Sequence, residues 1–272
     1  MRRKTSSTRS ELPDDLNVPV DSGSWMSLTQ RTRCLLAVRT KMATCMTVSH
    51  STKHPLCPCH DESQPNNLFH PAQCVVYTGP DSKYNGQEIC FNYNEDTLTI
   101  VDVTDKTNPI QISKTPYVGA SYTHQGWIAT PDQAYLLLDD ELDEVDGTGE
   151  AANGHTTTYI FDVSDLSDPK HTGLYQSPVR SIDHNQYVLD GLSYQSNYGS
   201  GLRIVDVSSI AEDPSGKGLK QVGFFDVHPA DDEVGGEVEF VGSWSVYPYF
   251  KSGYILLNSI ERGIYSLKYT GN

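Results

Sequence analysis

Short apolar runs alternate with polar turns along the chain, and the same alternation returns several times. In TLTIVDV (97–103), Leu98 and Ile100 fall on one side of an extended strand and Val101 on the other, because successive side chains of a strand point to opposite faces. TTYIFDV (157–163) and GLRIVDV (201–207) repeat the pattern. Each copy closes on an aspartate, Asp102, Asp162 or Asp206, and runs through a polar turn to Pro109, Pro169 or Pro214. A carboxylate at a strand end caps the next turn by accepting backbone N–H groups, and proline sets φ for the entry of the following strand. These aspartates therefore read as turn formers. A fourth copy, GIYSLKY (263–269), carries Lys268 in their place, a change that a turn tolerates and a ring of ligands would not.

A second marker lies upstream in each unit. FHPAQCVVY, YTHQGWIAT, SIDHNQYVL and GSWSVYPYF open the units at His70, His124, His184 and Trp244, which stand 54, 60 and 60 residues apart. Between the two markers comes another apolar run: EICFNYN (88–94), AYLLLDDEL (134–142), LSYQSNY (192–198) and YILLNSI (254–260). After the proline turn follow IQISKTPY (110–117), KHTGLYQS (170–177) and LKQVGFFDV (219–227), and the last unit ends before supplying an equivalent. Val, Ile, Tyr and Thr fill the runs, while Gly, Asn, Asp and Pro separate them, as in antiparallel strands. No sustained helical period interrupts them. Four short strands per repeat of about sixty residues predict an all-β fold of β-propeller blades. Four units are recognisable; they either close a small ring or form part of a larger one, and the last blade is expected to expose an edge.

Charge divides the chain. Residues 1–60 carry nine Lys and Arg against four Asp and Glu, whereas residues 61–272 carry eleven against thirty-one. All sixteen tyrosines lie at or beyond Tyr77. Residues 1–66 thus form a basic, Ser/Thr-rich leader, expected to be poorly structured or misassigned, and residues 67–272 form the propeller. Arg2, Arg3 and Lys4 are followed by no apolar run before Glu11, so no signal peptide is recognisable. No window is apolar enough for a membrane-spanning helix. A net charge of −15 excludes a nucleic-acid partner, whose phosphates require Lys and Arg.

The IVD-V-S/T-D-x-x-x-P repeat resembles the LVIVD repeat. Together with CVVYTGPDSKYNGQEICFNYNEDTLTIVDVTD, YTHQGW, LLLDDELDE, SIDHNQY and WSVYPYF, it is similar to the choice-of-anchor B proteins over roughly residues 67–269. That resemblance implies a secreted or cell-surface LVIVD propeller without an assigned activity. Members of that family are longer, with further blades and usually a secretion signal upstream.

The first strand of a blade lines the central channel, so residues opening successive units converge on the axis. His70, His124 and His184 hold that place, with Trp244 in the fourth unit and Gln73, Gln186 and Asp183 beside them. Converging neutral imidazoles suit a divalent metal ion; histidines in propellers also tie adjacent blades by hydrogen bonds. Both uses stay open on the sequence. The run LLLDDELDEVDGTGE (136–150) offers Asp139, Asp140 and Glu141 for a cation near the channel mouth, or is simply a solvated acidic loop. It does not fit an EF-hand, since the first and twelfth positions would be Leu142 and Asn153. ADDEVGGEVE (230–239) reads as an exposed insertion.

Cys74 and Cys90 flank a hairpin and would pair across its strands in an oxidising compartment. HPLCPCH (54–60) lacks zinc-finger spacing. The chain contains no G-x-S-x-G, H-E-x-x-H or phosphate-binding glycine loop. The expected function is a binding module for a protein, glycan or small ligand. The alternative is a metal-dependent hydrolase or lactonase-like enzyme working through the His and Asp groups.

Overall fold

The structure, a computed structural model, describes residues 72–271 and the backbone of residues 42–45. The expectation for the leader (apart from that short strand), His70 and the cysteines of HPLCPCH lie outside the described residues.

The described chain is all-β, with strands gathered into four antiparallel sheets whose order follows the chain. The first holds β2 (Ala72–Val76), β3 (Glu88–Asn94), β4 (Thr97–Asp102) and β5 (Ile110–Pro116), with β1 (Met42–Cys45) paired to the free side of β2. The second holds β6 (Thr123–Ile128), β7 (Tyr135–Asp140), β8 (His155–Asp162) and β9 (Lys170–Arg180). The third holds β10 (Asn185–Leu189), β11 (Leu192–Asn197), β12 (Gly201–Asp206) and β13 (Lys220–Phe225). The fourth has only β14 (Ser243–Tyr247), β15 (Tyr254–Ser259) and β16 (Gly263–Lys268). The first strands of successive sheets, β2, β6, β10 and β14, pack in that order, as blades do around a common axis.

Period-two patterning explains how the blades stack. Leu98 and Ile100 pack with Leu136, Leu138 and Phe161 of the second blade, while Val101 lies on the opposite face with Cys90. In the third blade, Leu202 and Ile204 pack with Val246, Ile255 and Leu257 of the fourth, and Val205 packs back onto Leu137 and Ile160 of the second. An interior strand therefore has both faces covered. Among the described residues no strand pairs with the outer side of β16 on the fourth blade, and Ile264 on it is 71% exposed.

The turns behave as their residues dictate. Asp102, Asp162 and Asp206 each accept the N–H two residues on, from Thr104, Ser164 and Ser208, at 2.9, 2.8 and 3.0 Å. Their carboxylates are occupied by the turn and do not enter the site described below. Cys74 and Cys90 face each other across β2 and β3 and form a disulfide.

The first and second blades approach closely at Gly126 on β6. A Cβ there would lie 2.4 Å from the Leu137 carbonyl oxygen and 2.5 Å from the ring of Tyr93 in the first blade. Gly126→Ala is accordingly expected to destabilise the fold by about 1–3 kcal/mol through overpacking, measurable as a lower urea midpoint at unchanged slope.

Candidate metal centre

The inner edges of the second and fourth blades share one device. On β6, Thr123 pairs with Asp140 and Gln125 with Asp139, so His124 is the extra residue of a β-bulge. On β14, Ser243 pairs with Ser259 and Ser245 with Asn258, which leaves Trp244 in the same role. His184 stands immediately before β10, at the corresponding point of the third blade. A bulge turns a side chain away from the sheet's alternation.

Each histidine is anchored through Nδ1. The His124 Nδ1 lies 3.0 Å from the His184 carbonyl oxygen, and the His184 Nδ1 lies 2.6 Å from the Trp244 carbonyl oxygen. A carbonyl only accepts, so the His124 Nδ1 carries the proton and donates, whereas the His184 Nδ1 lies against the Asn185 side-chain amide nitrogen, at 2.5 Å, as well as the Trp244 carbonyl. The two rings stack with centroids 4.5 Å apart and planes 22° apart. Glu141, just past the end of β7, meets both Nε2 atoms. Its Oε2 is 3.8 Å from His124 Nε2 and its Oε1 is 3.6 Å from His184 Nε2. The Tyr198 hydroxyl donates to Glu141 Oε1 and fixes the carboxyl group. One ligand atom from each of His124, Glu141 and His184 lies within 4.8 Å of the other two.

Burial shapes the charge here. It pushes the His124 imidazole down to about 4 and, with help from the neighbouring His124, that of His184 down to about 3. Burial also raises Glu141, opposed by the Tyr198 hydrogen bond. Two neutral imidazoles therefore face one carboxyl group through their Nε2 atoms. A divalent cation between them would take these three atoms as ligands, and the Nδ1–carbonyl contacts are of the kind that orient metal-binding histidines. Two His and one Glu form a donor set suited to zinc and related metals, with a position left for a further ligand.

The other expected site residues are placed elsewhere. Gln73 Oε1 accepts the Ile128 N–H at 2.7 Å and ties the first blade to the second. Gln186 donates through Nε2 to Asp139 Oδ1 at 2.7 Å, and its Oε1 accepts from Ser193. Asp140 accepts from the Tyr117 hydroxyl and from the N–H groups of Ser121 and Tyr122. Asp139 and Asp140 thus hold neighbouring strands, and of the three acidic residues named from the run only Glu141 reaches the histidines. Trp244 supplies its carbonyl rather than its ring, whose centroid sits 4.3 Å from that of His184. Asp183 is buried beneath the centre, outside the ligand set.

The solvated alternative for the acidic run holds for its end and fails for its start. Asp146 and Glu150 are exposed, but Asp139, Asp140, Asp143 and Glu144 are all buried, with Tyr117 and Tyr159 donating to Asp140 and Asp143. The second acidic segment is exposed for the most part, but Asp231 is buried and accepts the Glu237 N–H through its carboxylate. Tyr198 escaped the sequence reading altogether. Its backbone φ of +32°, a conformation a bulky residue rarely adopts, has no signature in the residue string. No protein-family model matches the chain, and no curated protein matches it.

Proposed function

We propose that the protein is a β-propeller binding module whose ligand site is a divalent transition-metal centre formed by His124, Glu141 and His184. The observation that carries this reading is the convergence of the three ligand atoms within 4.8 Å, with both imidazoles anchored through their other nitrogen. The metal would bind an oxygen or nitrogen donor of a protein, glycan or small ligand at its remaining position. Membership of the LVIVD-repeat, choice-of-anchor B proteins and secretion or attachment to a cell surface belong to the same proposal. The repeated IVDV strands support the first, and the Cys74–Cys90 disulfide supports the second, since such bonds persist in oxidising compartments.

Metal analysis tests it. Full-length protein equilibrated with zinc and desalted should retain one ion per chain, and His124→Ala and His184→Ala should lose it while still unfolding cooperatively. Wild-type protein that retains neither zinc nor cobalt would overturn the reading. A hydrolytic role is a second reading favoured by the same donor set, because two His and one Glu leave room for a metal-bound water. Turnover of a lactone or ester by the zinc-loaded protein, abolished in His184→Ala, would select it over binding alone.

A further inference from the structure

The fourth blade carries apolar residues at the positions through which the other blades touch. Leu192 pairs with Asp206 and Tyr254 with Lys268, which aligns the third and fourth blades strand for strand. On that alignment Tyr247, Leu256 and Ile264 hold the places of Tyr187, Tyr194 and Leu202. In the third blade these three are buried against Val246, Ile255 and Leu257 of the fourth. In the fourth blade they are open: Tyr247 is 48% and Ile264 71% exposed, and Leu256 is half-buried. Tyr254, also 48% exposed, lies on the same face, and the exposed Phe250 packs against Tyr247 with ring centroids 4.8 Å apart. An antiparallel sheet that faces water carries polar residues on that side. Apolar residues at blade-contact positions therefore mark a face that takes a partner.

The other end of the row of blades says which partner. Within the chain a blade meets the next one through the opposite face, the side on which Val205 lies in the third blade and Val101 and Cys90 in the first. On the first blade that face is closed, since Cys90 and Val101 are buried. A second copy thus offers no counterpart for head-to-tail stacking. What it does offer is the same open face, and like faces meet about a two-fold axis. Charge agrees. A net charge of −15 keeps copies apart over most of their surface. The strand residues of the open face include one charged group, Lys268, whose ammonium lies over the Tyr254 ring, 5.6 Å from its centroid.

We propose that two copies of the protein associate through the open face of the fourth blade, sheet against sheet, about a two-fold axis. Tyr247, Leu256 and Ile264 form the centre of the contact, and Tyr254 and Phe250 extend it. Three strands of about six residues span roughly 14 by 20 Å, which is at the small end for a specific interface. The dimer is therefore a reversible one, with a dissociation constant in the micromolar range, and each chain keeps its own fold when apart.

Analytical ultracentrifugation of the full-length protein from about 1 to 200 μM tests the proposal, in chelator so that no metal ion bridges the copies. The mass should rise from one chain to two and stop there. Added salt should favour the dimer, because it screens the repulsion between two acidic chains. Ile264→Lys and Tyr247→Lys, both at exposed positions, should each raise the dissociation constant by about tenfold or more while cooperative unfolding is unchanged. Val118→Lys, 84% exposed on the connection between the first and second blades, should leave it as in wild type. Protein that stays monomeric over the whole range overturns the proposal and leaves the face to a different protein. Growth beyond two copies overturns it too, because that requires a head-to-tail contact. A dimer that survives both Ile264→Lys and Tyr247→Lys places the interface elsewhere and overturns it as well.

Discussion

Glu141→Gln is expected to weaken zinc binding by at least about a hundredfold and, at the same time, to make the metal-free protein more stable. The two effects share one cause. Changing even the outer contacts of a metal ligand commonly costs 10- to 100-fold in affinity, and this substitution removes a charged ligand itself. In metal-free protein, however, the Glu141 carboxyl is raised by burial and faces the Nε2 atoms of two neutral imidazoles 3.8 and 3.6 Å away. An amide of the same shape keeps an oxygen for the Tyr198 hydroxyl and gains an N–H to donate to an Nε2. The gain should be about 0.5–2 kcal/mol, the usual size when a functional site is relieved of its strain. Zinc titration and urea unfolding in the presence of chelator measure the two halves separately. A Glu141→Gln protein that binds zinc normally, or that is less stable than wild type without metal, contradicts the assigned role of this carboxylate.

The metal-free protein should lose stability at both ends of the pH scale. His124 and His184, held down to about 4 and about 3 by burial, resist protons that the unfolded chain takes up near 6.5. Their contribution is complete above about 6.5 and is lost as the pH falls toward those folded values. Asp143 is displaced the other way, up to about 8, by burial and by Asp140. Its neutral form is shared by folded and unfolded states below about 3.8, and its contribution is lost as the pH rises through the folded value. Asp139, Glu144 and Asp183 are raised for the same reason. Below about 4 the histidine term alone changes, and above about 6.5 the carboxyl term alone changes. Melting temperatures recorded in chelator should therefore pass through a maximum between those limits. Zinc should raise the melting temperature near neutral pH and lose that effect as the pH falls, because the bound ion needs neutral imidazoles at His124 and His184 and an ionised Glu141. An alkaline limb that stays flat in chelator would mean that these carboxyl groups ionise freely in the fold.

The strands were legible because their causes are local. Period-two alternation in 97–103, 157–163 and 201–207 sorts each strand's side chains onto two faces, and an aspartate followed by a polar turn closes each strand with its own carboxylate. The repeat near sixty residues then gathers the strands into four sheets, and the direct opposition of Cys74 and Cys90 follows from their places in one hairpin. Identity of residues was enough for all of this. It was also enough to single out His124, His184 and Glu141 as chemically able groups.

What those groups do depended on partners far away in the chain. Neighbouring strands decide which residue is left over at a bulge, so the turning of His124 out of β6 is a property of the β6–β7 register and not of YTHQGW. A histidine that ties blades can keep a nitrogen for a metal. Imidazole has two nitrogens; Nδ1 reaches the next blade's carbonyl while Nε2 faces Glu141. The acidic run left a solvated loop and a cation site open because charge predicts exposure only on average. Tyr117, just past β5, and Tyr159, on β8, bond to Asp140 and Asp143 at its start, which are buried, while Asp146 and Glu150 at its end are exposed. Sequence by itself determined the elements and the candidate atoms, because alternation and turn chemistry act within a few residues. Only the tertiary structure decided which atoms share a site, because register, burial and carbonyl contacts are set between blades.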